Sequence, residues 1–273
     1  MKDVQKQKDH RRIEINKVGV KHIRYPITVL DKAKGVQHTV ANVNMYVDLP
    51  HRFKGTHMSR FVEILNKYKG DISLKNFSRI LNEMKRKLKA KTAHLEVEFP
   101  YFIEKAAPIT RAKSLMEYTC RFCGSSNQSE KRDFYVGVVV PITTVCPCSK
   151  EISEFGAHNQ RSMVTVQLRF HKFIWIEDII QMIEGCASCD LYSILKRADE
   201  KFVTEKAYQN PMFAEDVVRE VSKRLKKDRN ITWFTVESEN FESIHKHSAY
   251  AFVEHRVNGR SQRRSQSSVR RPV

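Results

Sequence analysis

The segment Cys146-Pro147-Cys148-Ser149-Lys150-Glu151 sets two thiols and a cation directly after the alternating stretch Phe134–Val145. Thiolates are strong ligands for zinc-like metals, proline between them stiffens the backbone, and loops at strand ends are where a rigid scaffold presents reactive groups. Two buried structural thiols would show the same spacing, so Cys-x-Cys alone leaves both roles open. Ser243-Ile244-His245-Lys246-His247, with Glu242 beside it, offers two imidazoles that an extended backbone points the same way. Two surface histidines in a loop are the plain alternative. His158, in Gly156-Ala157-His158-Asn159-Gln160-Arg161-Ser162, follows Cys146 by twelve residues. It is near enough to face the thiol across a connection, or to be a turn histidine facing solvent.

Further groups carry weaker signals. Gly55-Thr56-His57-Met58-Ser59-Arg60-Phe61 enters a helix with a hydroxyl, an imidazole and a guanidinium, which suits a phosphate and equally an ordinary capped helix start. Glu215 falls in the first turn of a helix after Pro211, where the helix dipole favours a carboxylate with or without a ligand. Cys120/Cys123 and Cys186/Cys189 have the spacing of a four-cysteine zinc site. The first pair falls on opposite faces of an alternating strand, and the second lies in or beside a helix 63 residues further on, which argues against such a site.

The elements that must hold these groups follow from hydrophobic period. Alternation of period two predicts strands over about 22–31, 38–49, 92–104, 112–124, 132–145, 161–172, 231–239 and 248–255. Stripes of period 3.6 predict helices over 57–69, 74–90, 176–197 and 213–227; Phe77, Ile80, Leu81, Met84 and Leu88 make one, with Ser73 as its N-cap. The order is ββααββ twice over, so the fold class is α+β with two duplicated units. The boundaries are a basic N-terminal segment 1–20, a first unit 21–128, a second unit 129–255, and an arginine-rich tail 256–273. Each unit is expected to be an antiparallel sheet with a helix pair on one face, its open edges managed by assembly into a barrel.

The 273 residues, 41% of them hydrophobic, suffice for a real core. No run approaches the roughly 18–20 apolar residues of a membrane span, and the charged N-terminus has no apolar stretch behind it, so a cytoplasmic protein is expected. The net charge is +18, of which six arginines from Arg256 onward, unaccompanied by any acid, supply six and leave +12 for the body. Such a tail cannot bury enough apolar surface to fold. A basic body suits a polyanion, either nucleic acid or a phosphorylated small molecule, and also describes a surface rich in lysine. Six cysteines without a secretory signal point away from a disulfide framework.

Together the motifs resemble the type IB GTP cyclohydrolases of the tunnelling-fold group. The resemblance is carried by Leu49–Phe61 (LPHRFKGTHMSRF), Pro141–Ile152 (PITTVCPCSKEI), Gly156–Ser162 (GAHNQRS), Leu195–Ala207 (LKRADEKFVTEKA) and Phe241–His247 (FESIHKH), and covers roughly residues 20–255. It implies conversion of GTP and water to 7,8-dihydroneopterin triphosphate and formate, the first step of tetrahydrofolate synthesis. It also implies a homotetramer, a dimer of dimers with active sites at subunit interfaces, and no nucleic-acid or membrane partner. The implied cofactor is a divalent metal, zinc, manganese or iron, held by Cys146, His158, Glu200 and His245. The catalytic residues would be Cys146, His158 and His247, with Glu242 nearby and Glu215 gripping the guanine. Lys150, Arg60, Arg161 and His57 are cations available to the triphosphate. The two cysteine pairs and the arginine tail depart from the family pattern and leave their own roles open.

The chemistry suits the residue types. Opening the guanine imidazole ring needs water to attack C8, which a metal with an open position promotes, while a histidine moves protons to the ring nitrogens. Two rivals stand beside this reading. A tunnelling-fold nitrile reductase would use a cysteine as nucleophile with NADPH and no metal; a basic RNA-binding protein would use the tail, with zinc on the paired cysteines.

Overall fold

Period-two alternation builds long strands in the computed structural model, which describes residue 5 and residues 7–68, 71–127 and 132–256. Residues 257–273, and with them nearly all of the arginine-rich tail, lie outside these. In chain order the elements are β1 (Ile15–Asp31), β2 (Gly35–Leu49), α1 (Ser59–Tyr68), α2 (Leu74–Leu88), β3 (Ala93–Ala106) and β4 (Lys113–Ser126). There follow β5 (Arg132–Val145), α3 (Pro147–Ile152), β6 (Asn159–Phe170), α4 (Ile176–Glu184), β7 (Cys189–Asp190), α5 (Arg197–Gln209), α6 (Ala214–Lys227), β8 (Ile231–Phe241) and β9 (Ala249–Arg256).

The strands form one antiparallel sheet in the order β1-β2-β3-β4-β5-β6-β8-β9, with β7 pairing to β5 beside this path. The two halves therefore share a sheet, joined where Thr119–Ser126 pair with Arg132–Val139. One face is apolar: Ala41, Val43, Met45 and Val47 on β2, Leu95, Val97 and Phe99 on β3, and Val164, Val166 and Leu168 on β6 are buried. Helices α2, α4 and α6 pack on that face, and their stripes Phe77–Ile80–Leu81–Met84, Ile176–Ile179–Ile180–Ile183 and Val217–Val221–Leu225 join the strands in one core. Each fully buried Val, Leu, Ile or Phe contributes roughly 1.5–3 kcal/mol. A one-residue slip in any strand would turn its whole apolar set outward, so the register is strongly specified.

Three differences from the sequence expectations concern where elements begin and end. The first strand begins at Ile15 rather than near residue 22, with irregularities between Ile15 and Val18 and between Val20 and Ile23, and His22 at φ +58°. The helix expected over 176–197 is a shorter helix, α4, followed by β7 and a connection, and α5, from Arg197, is a further helix that the periodicity did not announce. Helix α4 stops at Glu184, where Gly185 ends the run and the Arg224 guanidinium donates to Met182 O and Gly185 O; Leu191, Ile194 and Leu195 lie in the connection after β7. Phe213, where the helix expected over 213–227 begins, is the exposed N-cap of α6, whose buried stripe starts after it.

Candidate metal centre

Antiparallel register brings the ends of β5 and β6 and the far end of β8 side by side. Val145 pairs with Asn159, and Arg161 pairs with Phe241. Cys146 N donates to His158 O at 3.1 Å, so the thiol and the imidazole belong to one tight connection. Cys146 is the N-cap of α3, with Pro147 at the first helical position, and its Sγ accepts the N–H of Ser149 at 3.4 Å. The Ser149 hydroxyl in turn accepts the backbone N–H of His158 at 3.2 Å.

The imidazole of His158 is oriented by a relay. Gln160 Nε2 donates to Glu242 Oε1 at 3.2 Å. A carboxylate accepts only, so the Gln160 amide nitrogen must face it and the amide oxygen must face His158. His158 Nδ1 then carries the proton it donates to Gln160 Oε1 at 3.2 Å, and Glu242 Oε2 stands 3.7 Å away. In the neutral ring this tautomer leaves the lone pair on Nε2, the arrangement in which histidines bind metal. Gln160 is 7% exposed. It escaped attention in the sequence, although its place two residues after His158 on an alternating strand was a usable signal. Beneath the relay, Thr144, Ser162, Ser238 and Asn240 are fully buried and bonded to one another across β5, β6 and β8.

The other predicted groups are placed as follows. His245 and His247 lie in the β8–β9 connection, both exposed, their rings stacked with centroids 5.0 Å apart. Met212 N donates to Val145 O at 2.9 Å, which brings the entry of α6, and exposed Glu215 in its first turn, to the same end of the sheet. Glu200 is exposed in the first turn of α5. Arg161 is exposed at the start of β6. Lys150 is engaged within the chain: its Nζ donates to Tyr208 O at 2.6 Å and lies 4.5 Å from the Tyr208 ring centroid. Cys148 is exposed.

His57 and Arg60 are not brought to this end. Val47, Ala93, Ser126 and Arg132 form one row across the sheet, and the connection from Leu49 to α1 lies at that row. Cys146 follows the opposite end of β5, fourteen residues away, or roughly 45 Å along a strand. Arg60 Nη1 donates to Lys87 O at 3.0 Å, holding the C-terminal end of α2. Among the described residues, no group of three or more His, Cys, Asp or Glu side chains is arranged to hold a metal ion. Cys146 and His158 are paired in one chain, whereas Glu200 and His245 are not gathered onto them.

Asp199, next to Glu200, is fully buried and is a second group the sequence reading passed over. Burial pushes its carboxyl up, but the Thr110 hydroxyl and the backbone N–H groups of Thr110, Lys196 and Ile109 outweigh that and hold it well below the usual carboxylate range. The four cysteines of the paired motifs are buried thiols. Burial raises Cys120, Cys123 and Cys189 and pushes Cys186 up to about 11, and the Cys186 Sγ–H donates to Met182 O. These are protonated packing groups.

The family model for type I GTP cyclohydrolase folE2 matches residues 1–251. The chain is 64% identical over 254 residues to GTP cyclohydrolase FolE2 of Syntrophus aciditrophicus strain SB, covering 93% of this chain and 99% of that one. It is 64% identical to GTP cyclohydrolase FolE2 of Geobacter metallireducens, covering 93% and 97%. Among solved structures, urate oxidase from Bacillus sp. TB-90 superposes with a TM-score of 0.50 at 10% identity, covering 89% of this chain and 99% of that one, a likeness of fold alone.

Proposed function

This chain belongs to the type I GTP cyclohydrolase FolE2 family, and from that premise we infer a hydrolase that converts GTP and water to 7,8-dihydroneopterin triphosphate and formate. The family is metal-dependent. Membership sets aside the nitrile-reductase and RNA-binding readings. The observation that carries the site assignment is the pairing of Cys146 with His158, one thiol and one imidazole nitrogen left without a strong internal partner at a strand end. A thiolate and a neutral imidazole suit zinc, manganese or iron, so the donors present fit the group the family uses.

The metal-site residues in this reading are Cys146, His158, Glu200 and His245. A divalent metal held there supplies Lewis acidity and makes water acidic enough to ionise near neutral pH. The chain's own residues do the rest. Glu242, through Gln160, keeps the proton of His158 on Nδ1. His247 delivers protons to the imidazole-ring nitrogens of guanine as C–N bonds break. Glu215 accepts hydrogen bonds from guanine N1–H and the 2-amino group, a pattern adenine does not offer. Arg161, His57 and Arg60 meet the triphosphate, while Lys150 in the isolated chain is held on α5.

His57 and Arg60 lie at the far end of the sheet from Cys146, so their part requires a second copy of the chain. That supports a homotetramer, a dimer of dimers, with each active site at a subunit interface. Phe155 and Ile152, 96% and 84% exposed beside Cys146 and His158, are the kind of apolar surface a partner covers. In the same reading the chain comprises units 21–128 and 129–255 flanked by segments 1–20 and 256–273. A cytoplasmic location accords with the absence, among the described residues, of any helix long and apolar enough to cross a membrane.

Protein loaded separately with zinc, manganese or iron and given GTP is expected to release formate and a fluorescent pterin in equal amounts. Failure with all three metals would remove the assignment. Deleting residues 256–273 is expected to leave kcat/KM for GTP within about two-fold, because that segment takes only Arg256, the last residue of β9, from the sheet and supplies none of the named groups. Steady-state kinetics of the truncated enzyme checks this, and a ten-fold loss would bring the tail into catalysis.

A further inference from the structure

Helix α5 has little core of its own. Only Asp199 and Ala207 are buried along its thirteen residues. Its apolar attachment is the small cluster in which Ala207 and Val203 meet Val145, Cys189 and Ala157. Polar ties do the remaining work, and the principal ones lead to the first half of the chain. At the N-terminal end, Asp199 Oδ1 accepts the backbone N–H groups of Ile109 and Thr110, both at 2.9 Å, and Oδ2 accepts the Thr110 hydroxyl at 2.6 Å and the Lys196 N–H at 2.9 Å. Ile109 and Thr110 form the turn between β3 and β4. Further along α5, Lys206 Nζ donates to Asp190 Oδ1 at 3.1 Å. Asp190 also pairs with Lys105 of β3 at 3.3 Å, and Lys105 reaches Glu184 at 2.7 Å. Lys105, Glu184 and Asp190 are all mostly buried.

Glu200 stands between these two anchors, one residue after Asp199. Successive residues on an α-helix point about 100° apart. With Asp199 directed into the β3–β4 turn, the direction in which the Glu200 Cα–Cβ bond leaves the helix is therefore set by that turn. A carboxylate bonded by four donors is rigid, and hydrogen bonds to a charged acceptor are roughly twice as strong as neutral ones.

We propose that the β3–β4 turn of the first half is a positioning element for the metal site of the second half, acting through Asp199 to set Glu200. The inference rests on the reading of Glu200 as a metal-site residue. Asp199 and Thr110 touch neither metal nor substrate; they are positioning residues.

The test is metal affinity, read without turnover. Zinc Kd is measured by competition with a chromophoric chelator, and the cobalt-substituted protein gives a ligand-field spectrum that reports geometry. Thr110→Val removes one donor to Asp199 from a turn roughly 90 residues away in sequence, and should weaken zinc binding by about ten-fold, as loss of outer-shell support does elsewhere. It should also shift the cobalt bands while circular dichroism stays native. Thr110→Ser keeps the hydroxyl and should restore both readings, an outcome that loss of general stability would not produce. Asp199→Asn should exceed the Thr110→Val effect if it folds, and the threonine pair decides the matter if it does not. Glu200→Ala is measured alongside. Zinc affinity in Thr110→Val within two-fold of the parent, with Glu200→Ala weakened ten-fold or more, overturns the positioning role alone. Unchanged affinity in Glu200→Ala overturns the ligand reading and the proposal with it.

Discussion

Cys146→Ala is expected to abolish GTP turnover, by a thousand-fold or more, and to leave the purified protein with little bound metal while it stays folded. A catalytic zinc-like centre rests on about three protein ligands, and in the proposed set removing the one thiolate leaves His158 with His245, from an exposed loop, and Glu200, borne on a polar-tethered helix. The fold does not depend on this sulfur. Cys146 is half-buried and outside the main core, its Sγ accepts one N–H from Ser149, and the backbone bond from Cys146 N to His158 O survives the substitution. Losing the N-cap bond on a six-residue helix costs about 1 kcal/mol. Metal analysis, formate release and circular dichroism on one preparation check all three parts. Full activity in this variant would refute the central assignment, and a protein that bound metal normally but lacked activity would move Cys146 from ligand to nucleophile.

The residues differ in how openly the sequence announced their place. The alternating strands were legible because one sheet face is covered by helices and the other is polar: Leu95, Val97 and Phe99 face the core while Glu96 and Glu98 do not. Ser73 was legible as an N-cap because its type and position state a local bond, made here to Asn76 N. Helix α5 was not, because a helix held by Asp199 and Lys206 shows no apolar stripe for periodicity to find. The run Ile176–Ile183 suggested one long helix because Leu191, Ile194 and Leu195 keep a plausible period. Only pairing of β7 with Ile142 and Thr143 shows that the chain turns out after Gly185.

The same contrast holds at the candidate site. Cys146 and His158 are near in sequence, and register places them together. His57 and Arg60 announced themselves by type, as a helix entry rich in polar groups, but type carries no information on which end of a sheet a loop occupies. That depends on counting strands between Leu49 and Val145, and on how they pair. If His57 and Arg60 meet the triphosphate as proposed, the long-range geometry assigns them to the Cys146 site of another copy of the chain, in keeping with the interface sites that the family resemblance implies.

Glu215→Gln is expected to lower kcat/KM for GTP by about a hundred- to a thousand-fold, chiefly through KM, with metal content unchanged. A carboxylate accepting from both guanine N1–H and the 2-amino group makes two charge-assisted bonds, each worth roughly 1.5–3 kcal/mol. An amide offers one acceptor and turns a donor toward a second donor, so one bond is lost and a donor–donor repulsion takes its place. Structure disfavours a stability explanation: Glu215 is exposed in the first turn of α6, where Asp216 accepts the N–H of Phe213 and so caps the helix, and α6 packs into the core through Val217, Val221 and Leu225. The substitution therefore removes about 0.3–1 kcal/mol of helix-dipole interaction at most, too little to explain a large kinetic loss. The discriminating measurement is the ratio of kcat/KM for GTP to that for ITP, which lacks the 2-amino group. The parent enzyme should prefer GTP strongly, since a site built to bond a substrate N–H rejects the analogue without it, and Glu215→Gln should lose most of that preference. A variant that slows GTP and ITP equally, preserving the ratio, would place Glu215 away from the base and send the search for the guanine anchor to another carboxylate.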